Sequence, residues 1–333
     1  MKKQLTKGTQ PGSTSKIAAG HGKISQPILA TLTNRPSLTH DSHRSPAHDR
    51  ETDAKSPSDL DIVLQPIVKV TAPLGSLDLE VLLLERASNT DAQSADVSNV
   101  HMDKCGDRAR QDRRLLATAL DWLHRHESTL KMTRFFCVNL HAESVNDARS
   151  IAETVDILRQ YEKVLSYLCL QISETTEQVS LENLQHFLHL AQNMGAKVML
   201  NDFGSGYNSL YFLQHLSADA LRIDGNLIAD IHENPKSASI VEGIVQLARN
   251  LGMASIATGV NDLRTLRLLI DLGVDYVQGS AVAKPQQPNT IAEASSASPF
   301  IDEAALATFV QAMADSDNQS MISAPIFYSG NLH

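Results

Sequence analysis

Two short segments carry most of the chemistry open to this chain. Asn201-Asp202-Phe203-Gly204-Ser205-Gly206-Tyr207 joins a polar pair to a glycine turn. Leu221-Arg222-Ile223-Asp224 follows with a second charged cluster. Each cluster ends a run that predicts a strand. Polar clusters at the ends of successive strands are the arrangement of an α/β barrel mouth, where strand ends converge on one site. The pattern is the frame of a metallohydrolase with an incomplete set of ligands.

The elements that must position these residues follow from apolar spacing. Asp61–Val68 reads as a buried strand, and Leu77–Leu84 as a second strand after a turn at Pro73–Gly75. Residues 88–106 are polar and irregular, and a loop of that length in a compact domain is mobile or functional. Helical spacing follows over Arg113–His126 and Ala148–Gln160, with strands predicted at 135–140 and 164–172. Ser180 is placed to cap a helix Leu181–Met194 that Gly195 stops. Strands at Lys197–Leu200, Ala220–Ile223, Ala254–Ala257 and Asp275–Gln278 then alternate with helices at Tyr211–Leu216, Lys236–Asn250 and Asp262–Leu272. Short strands alternating with longer helices predict a parallel sheet covered on both faces, and their number predicts a closed barrel. The leading strand pair departs from strict alternation.

The strand ends carry polar residues in series: Gln65, Glu80, Asn139, Gln171 with Glu174 beyond it, Asn201 and Asp202, Arg222 and Asp224, Thr258 and Asn261, and Gln278. Any one of them reads equally well as a strand-end cap. The whole series argues for a common cleft.

At this point the chain resembles the EAL domain, the cyclic-di-GMP phosphodiesterase domain of bacteria. The resemblance runs from Asp61 to Pro285. It rests on Gln65-Pro66-Ile67, Glu80-Val81-Leu82, Asn139-Leu140, Gln171-Ile172-Ser173-Glu174, Asp202-Phe203-Gly204-Ser205-Gly206-Tyr207, Arg222-Ile223-Asp224, Gln278-Gly279 and Lys284-Pro285. It implies a modified TIM barrel of the EAL type. In active members two Mg²⁺ or Mn²⁺ ions over the strand ends activate the water that cuts the phosphodiester. Glu80, Asn139, Asp202 and Asp224 match the family pattern, although Val81 replaces the signature alanine. Gln171 and Asn201 stand where a metal-binding glutamate and the first aspartate of a pair are expected. Arg222 stands in place of the catalytic lysine, and Thr258 and Asn261 in place of two glutamates. Leu84 stands where an arginine normally meets a ligand phosphate, and Arg86 lies two residues on, on the same strand face.

Two divalent cations need hard, largely anionic oxygen ligands. Up to four negative charges are missing here, and Arg222 adds a permanent positive one that can pair with Asp202 or Glu80. The expectation is therefore a catalytically inactive homologue with no cofactor, or at most one weakly held Mg²⁺ or Mn²⁺ on Glu80, Asn139 and Asp202. Regulation through a protein partner is the leading reading. The alternatives are a non-hydrolysing cyclic-di-GMP receptor using Gln65, Arg86, Arg222, Asp224 and Gln278, and a weak metal-dependent phosphodiesterase. Tyr207, Tyr211 and Phe212 lie just after the glycine turn; the resemblance implies that in active members this loop links the site to the dimer face, which leaves a homodimer open. Their plainer reading is loop anchoring and core packing.

Bulk properties set the outer bounds. The chain has 333 residues, 42% of them hydrophobic, and a formal net charge of −9. Residues 1–50 hold eight Lys/Arg and two acids, so the remainder is about −15 and is not expected to bind nucleic acid. Cys105, Cys137 and Cys169 form no framework of disulfides, which fits a reducing, cytoplasmic setting. No apolar run predicts a membrane span or a signal peptide. The expected division is a flexible, disordered basic tail over 1–58, the barrel over 59–288 and an extension over 289–333 with one helix.

Overall fold

The computed structural model describes residues 61–84, 108–173, 180–206 and 209–322. The expected tail 1–58, the loop 88–106, and residues Arg86, Glu174 and Tyr207 lie outside these residues. Eight strands close into a barrel in sequence order: β1 Ile62–Lys69, β2 Asp78–Leu83, β3 Phe136–Leu140, β4 Leu168–Ser173, β5 Lys197–Phe203, β6 Ala220–Ile223, β7 Ala254–Ala257 and β8 Tyr276–Val277. β1 runs antiparallel to both neighbours, β2 and β8, and the remaining pairs are parallel. The departure expected at the leading pair is therefore an antiparallel hairpin turned at residues 73–75. Closure removes every free sheet edge, so each strand can be short.

The helices outside the barrel are α1 Arg108–Arg125, α2 Ala148–Gln160, α3 Leu181–Asn193, α4 Ser209–His215, α5 Gly225–Ala229, α6 Pro235–Asn250, α7 Leu263–Asp271, α8 Pro288–Ala292 and α9 Glu303–Ile322. Their starts follow local side-chain chemistry. Ser180 accepts from the Asn183 amide, Asp147 from Arg149 and Ser150, Asn234 from Lys236 ahead of a Pro235 at the first position, and Asp262 from Thr265. α1, α3 and α6 pack an apolar face on the sheet, whereas α9 packs on α7.

Several boundaries differ from the sequence reading; α1, for one, begins at Arg108 rather than Arg113. β4 begins at Leu168, because Tyr161 to Leu168 first winds through successive i to i+3 hydrogen bonds. β5 runs on through Asn201 and Asp202 to Phe203, so these polar residues belong to the strand itself. The C-terminal helix is longer than Ala304–Met313, spanning Glu303–Ile322. It is fastened to the barrel by fully buried Phe309, by an Arg267–Asp315 ion pair of 3.0 Å, and by a bridge between Ala283 and Ile301 just before it.

Inside the barrel, Ile67, Phe135, Cys137, Cys169, Met199, Ala220, Ala254, Ile256 and Tyr276 form one apolar plug. Every strand but β2 is represented in this plug or immediately beside it. It closes the lumen below the polar strand ends and sets the depth at which their side chains must find partners.

One backbone contact is tight enough to forbid a side chain. A Cβ on Gly279 would lie 2.2 Å from the Val260 carbonyl oxygen and 2.4 Å from its nitrogen. Gly243, inside α6, has open space around it. Gly279→Ala is expected to destabilise by about 3 kcal/mol through overpacking. Gly243→Ala should stabilise by about 0.5–1 kcal/mol through helix propensity. Urea midpoints for the two variants test this, and a Gly279→Ala protein as stable as wild type would refute the contact.

Candidate functional site

Glu80 is the centre of the polar mouth. It points inward from β2, opposite Gln65 in the β1 register, and is buried. Three donors converge on its carboxylate. Arg222 Nη1 lies 2.7 Å from Oε1, Asn139 Nδ2 lies 3.1 Å from the same oxygen, and Gln278 Nε2 lies 2.8 Å from Oε2. Gln278 Nε2 also reaches Gln65 Oε1 at 3.3 Å, and Gln65 Nε2 donates to the Ala283 carbonyl at 3.1 Å. β1, β2, β3, β6 and the residue following β8 are thus tied together at the mouth by five of the residues singled out in the sequence.

Both charges of the central pair are held on. Burial pushes the Glu80 carboxyl up, but the charge and hydrogen bond of Arg222, with those of Gln278 and Asn139, bring it below its ordinary value. Burial likewise pushes the Arg222 guanidinium down, and the Glu80 charge and hydrogen bond more than offset that. Neither group has a labile proton near neutral pH, so neither serves as a general acid or base. The Cys137 thiol beneath them is pushed far up by burial, by Cys169 and by the Glu80 charge, against a smaller opposing effect of Arg222. It stays protonated, and Cys137 and Cys169 are buried hydrophobes.

The other candidates are placed differently. Gln171 is fully buried; its Nε2 meets only the Met199 sulfur at 3.6 Å and its Oε1 has no partner. The Asn201 Oδ1 and Gln278 Oε1 atoms are also buried without partners. Asp202 has φ of +53°, in the left-handed region that aspartate tolerates better than most residues. There the β5–β6 register shifts between Leu200 and Phe203, a bulge that turns the Asp202 carboxylate to accept from Ser173 Oγ at 3.0 Å. Gly204 next to it has φ of +95°, and a Cβ there would meet Leu227 at 2.9 Å, so the turn requires glycine.

Asp224, Thr258 and Asn261 do not join the Glu80 network. Asp224 caps α5, accepting the Asn226 amide at 2.6 Å. Thr258 Oγ1 leans on the Ile223 carbonyl at 3.4 Å. Asn261 is exposed and accepts from Ser280 Oγ at 2.8 Å. Leu84 closes the end of β2 through a backbone bond to Asp61, with its side chain half-buried. Ser173 went unremarked in the sequence as a site residue. The period of two from Gln171 places it on the same inner face.

These residues do not fit a pair of divalent cations. Glu80, the carboxylate deepest in the mouth, already accepts three hydrogen bonds, one of them from a guanidinium that cannot lose its charge. The free acceptors are neutral amide oxygens. Among the described residues no group of three or more His, Cys, Asp or Glu is arranged to hold a metal ion. No helix among them is long and apolar enough to cross a membrane.

Comparison with known proteins identifies the family and the fold. A family model described as the EAL domain matches residues 51–285. The chain is 29% identical over 225 residues to the cyclic di-GMP phosphodiesterase PdeF of Escherichia coli strain K12, which covers 68% of this chain and 30% of that protein. It is 30% identical over 178 residues to the probable cyclic di-GMP phosphodiesterase PdeA of the same organism, covering 54% of this chain and 24% of PdeA. The chain thus spans less than a third of the length of these curated relatives. Among solved structures, the EAL domain of Mycobacterium smegmatis DcpA superposes with a TM-score of 0.57 at 21% identity, covering 72% of this chain and 96% of that one. The PaMucR phosphodiesterase in complex with c-di-GMP gives 0.59 at 24% identity, covering 70% and 94%. At these identities the structures speak to the fold.

The central pair has a pH signature. The folded Glu80 carboxyl lies below its ordinary value of 4.5, so the stability it contributes is present above that pH. It is lost as pH falls from there toward the folded pKa, with a limiting slope of about 1.4 kcal/mol per pH unit. Urea midpoints between pH 7 and pH 3 should fall less steeply for the Glu80→Gln/Arg222→Met double variant than for wild type. Equal slopes would assign the acid loss to other carboxylates.

Proposed function

The chain belongs to the EAL domain family, and from that premise we propose that it is a non-hydrolysing regulator in bacterial cyclic-di-GMP-linked signalling that acts by binding a protein partner. The observation that carries the reading is the buried Arg222–Glu80 ion pair, 2.7 Å long. Two-metal hydrolysis places cations about 4 Å apart and balances them with carboxylates. Here a guanidinium is bonded to the carboxylate on which such a site would depend. Gln171, Asn201, Thr258 and Asn261 contribute no charge to offset a metal.

The same bonds weigh against the receptor reading. Of the candidate ligand contacts, Gln65, Arg222, Asp224 and Gln278 are all engaged within the protein. Leu84 offers nothing to a phosphate, where a bidentate arginine would. A face for a protein partner is present on α4, beside the glycine turn. Leu210 and Tyr211 are 61% and 51% exposed there, while Phe212 packs partly against the core. Exposed apolar residues side by side on one helix are a common mark of an interaction surface.

Incubation with cyclic-di-GMP and Mn²⁺, followed by chromatography, should yield no linear dinucleotide, and calorimetry without metal should register no binding heat. Turnover above the protein-free blank would overturn the reading, and tight binding without turnover would favour the receptor. Arg222→Lys alone should remain inactive, because the missing anionic ligands are still missing. Product formation by that single variant would place the whole catalytic defect at one residue.

A further inference from the structure

We propose that a cavity beneath the C-terminal helix α9 binds a straight-chain carboxylic acid, with the carboxylate on Arg249 and the chain against Phe309. This cavity lies at the opposite end of the barrel from the Glu80 mouth, so it can hold a ligand whatever the mouth does.

The surrounding elements fix its position. The polar mouth lies at the C-terminal ends of the parallel strands. Val70 and Thr71 follow the antiparallel β1, Val274 and Asp275 precede β8, and Arg249 stands at the end of α6 ahead of β7. All of these sit at the other end of the barrel. With residues of α7 and α9 they enclose a cavity of about 460 Å³. That volume falls within the range of about 300–1,000 Å³ common to small-molecule sites. The match to the family model stops at residue 285, whereas Phe309, Ala312 and Met313 on α9 form one wall. The cavity is therefore made by this chain's own extension together with the barrel, and not by the barrel alone.

Its chemistry is divided. Phe309, Val274 and Ala312 are buried and Ile270 partly so, which gives an apolar floor. Met313, 37% exposed, places a flexible thioether at the lip. The polar side holds a cation without a counter-ion. Arg249 Nη2 donates to the Gly273 carbonyl at 3.3 Å, and Gly273 is itself part of the wall, so the guanidinium is held at the rim. Among the described residues no carboxylate pairs with it. Asp275, the acid in the wall, accepts from the Ser255 amide and hydroxyl at 2.9 and 2.8 Å, and Asp271 and Asp315 pair with Arg267. Apolar surface continuous with an unpaired guanidinium suits an amphiphile with an anionic head. The head gains charge-assisted, parallel N–H bonds, and the chain leaves water for the floor. A neutral molecule of the same length gains only the second.

Isothermal titration near neutral pH, with octanoate kept below its micelle-forming concentration, should show saturable binding at a single site. Octan-1-ol, with the same chain and no charge, should bind about tenfold or more weakly. Arg249→Met should bring octanoate down to the affinity of the alcohol and leave the alcohol unaffected. Ala312→Phe, which fills the cavity from α9, should abolish binding of both. If that variant does not fold, Met313→Trp fills the same space from the exposed lip. The proposal is overturned if wild type does not bind octanoate, if the alcohol binds as tightly as the acid, if Arg249→Met leaves the affinity for octanoate unchanged, or if the filled variant binds as wild type does.

Discussion

The mouth of the barrel is organised by one buried pair of charges, Arg222 on β6 and Glu80 on β2. Withdrawing two ions from water is costly, and their attraction in a low-dielectric lumen repays that only when the remaining donors and acceptors are also satisfied. Asn139 and Gln278 supply that for Glu80, and Gln65 in turn orients Gln278. Gln65, Glu80, Asn139 and Gln278 come from one side of the barrel, on or beside β8, β1, β2 and β3, and Arg222 reaches them from β6, so the ion pair acts as a cross-brace above the apolar plug. Loss of either charged partner leaves the other buried and uncompensated, a change that typically costs about 3–5 kcal/mol. The remaining unpaired amide oxygens mark how incompletely a guanidinium fills the space.

Much of the barrel could be read from the chain because its strands are short apolar runs with clear punctuation. Ala220–Ile223 and Ala254–Ala257 have the same limits in the structure as in the sequence reading, and α2, α3, α6 and α7 begin after residues whose side chains cap them. The start of β4 was not legible, since Val164 and Leu165 are apolar and look like strand while their backbone is wound into i to i+3 turns. β5 was cut short for the opposite reason. Asn201 and Asp202 look like loop residues, and only a bulge with a left-handed aspartate keeps them in the ladder. The full length of the C-terminal helix was not legible because its core residues, such as Phe309, are sparse in the sequence.

The site was legible by residue type more than by geometry. An arginine among carboxylates announces an ion pair, but choosing Glu80 over Asp202 requires knowing that β2 and β6 face each other across the lumen. Asp224 illustrates the limit. Its position after β6 matched a functional pattern, while its side chain is committed to the first turn of α5. Thr258 and Asn261 share a motif position with residues that reach the mouth in the family pattern, yet here they bond to a backbone carbonyl and to an exposed serine. The unpaired oxygens of Gln171, Asn201 and Gln278 leave no trace in sequence at all, because an amide announces equal capacity to give and to accept.

The Arg222–Glu80 pair also makes the effect of a substitution in this mouth depend on what has been changed before it. An acid placed at Gln171 or Asn201 while Arg222 remains adds a charge beside a guanidinium already committed to Glu80. Removing Arg222 first strands Glu80 in the lumen without its cation. Neighbouring changes here are therefore non-additive, and even the sign of one can depend on whether the other has been made.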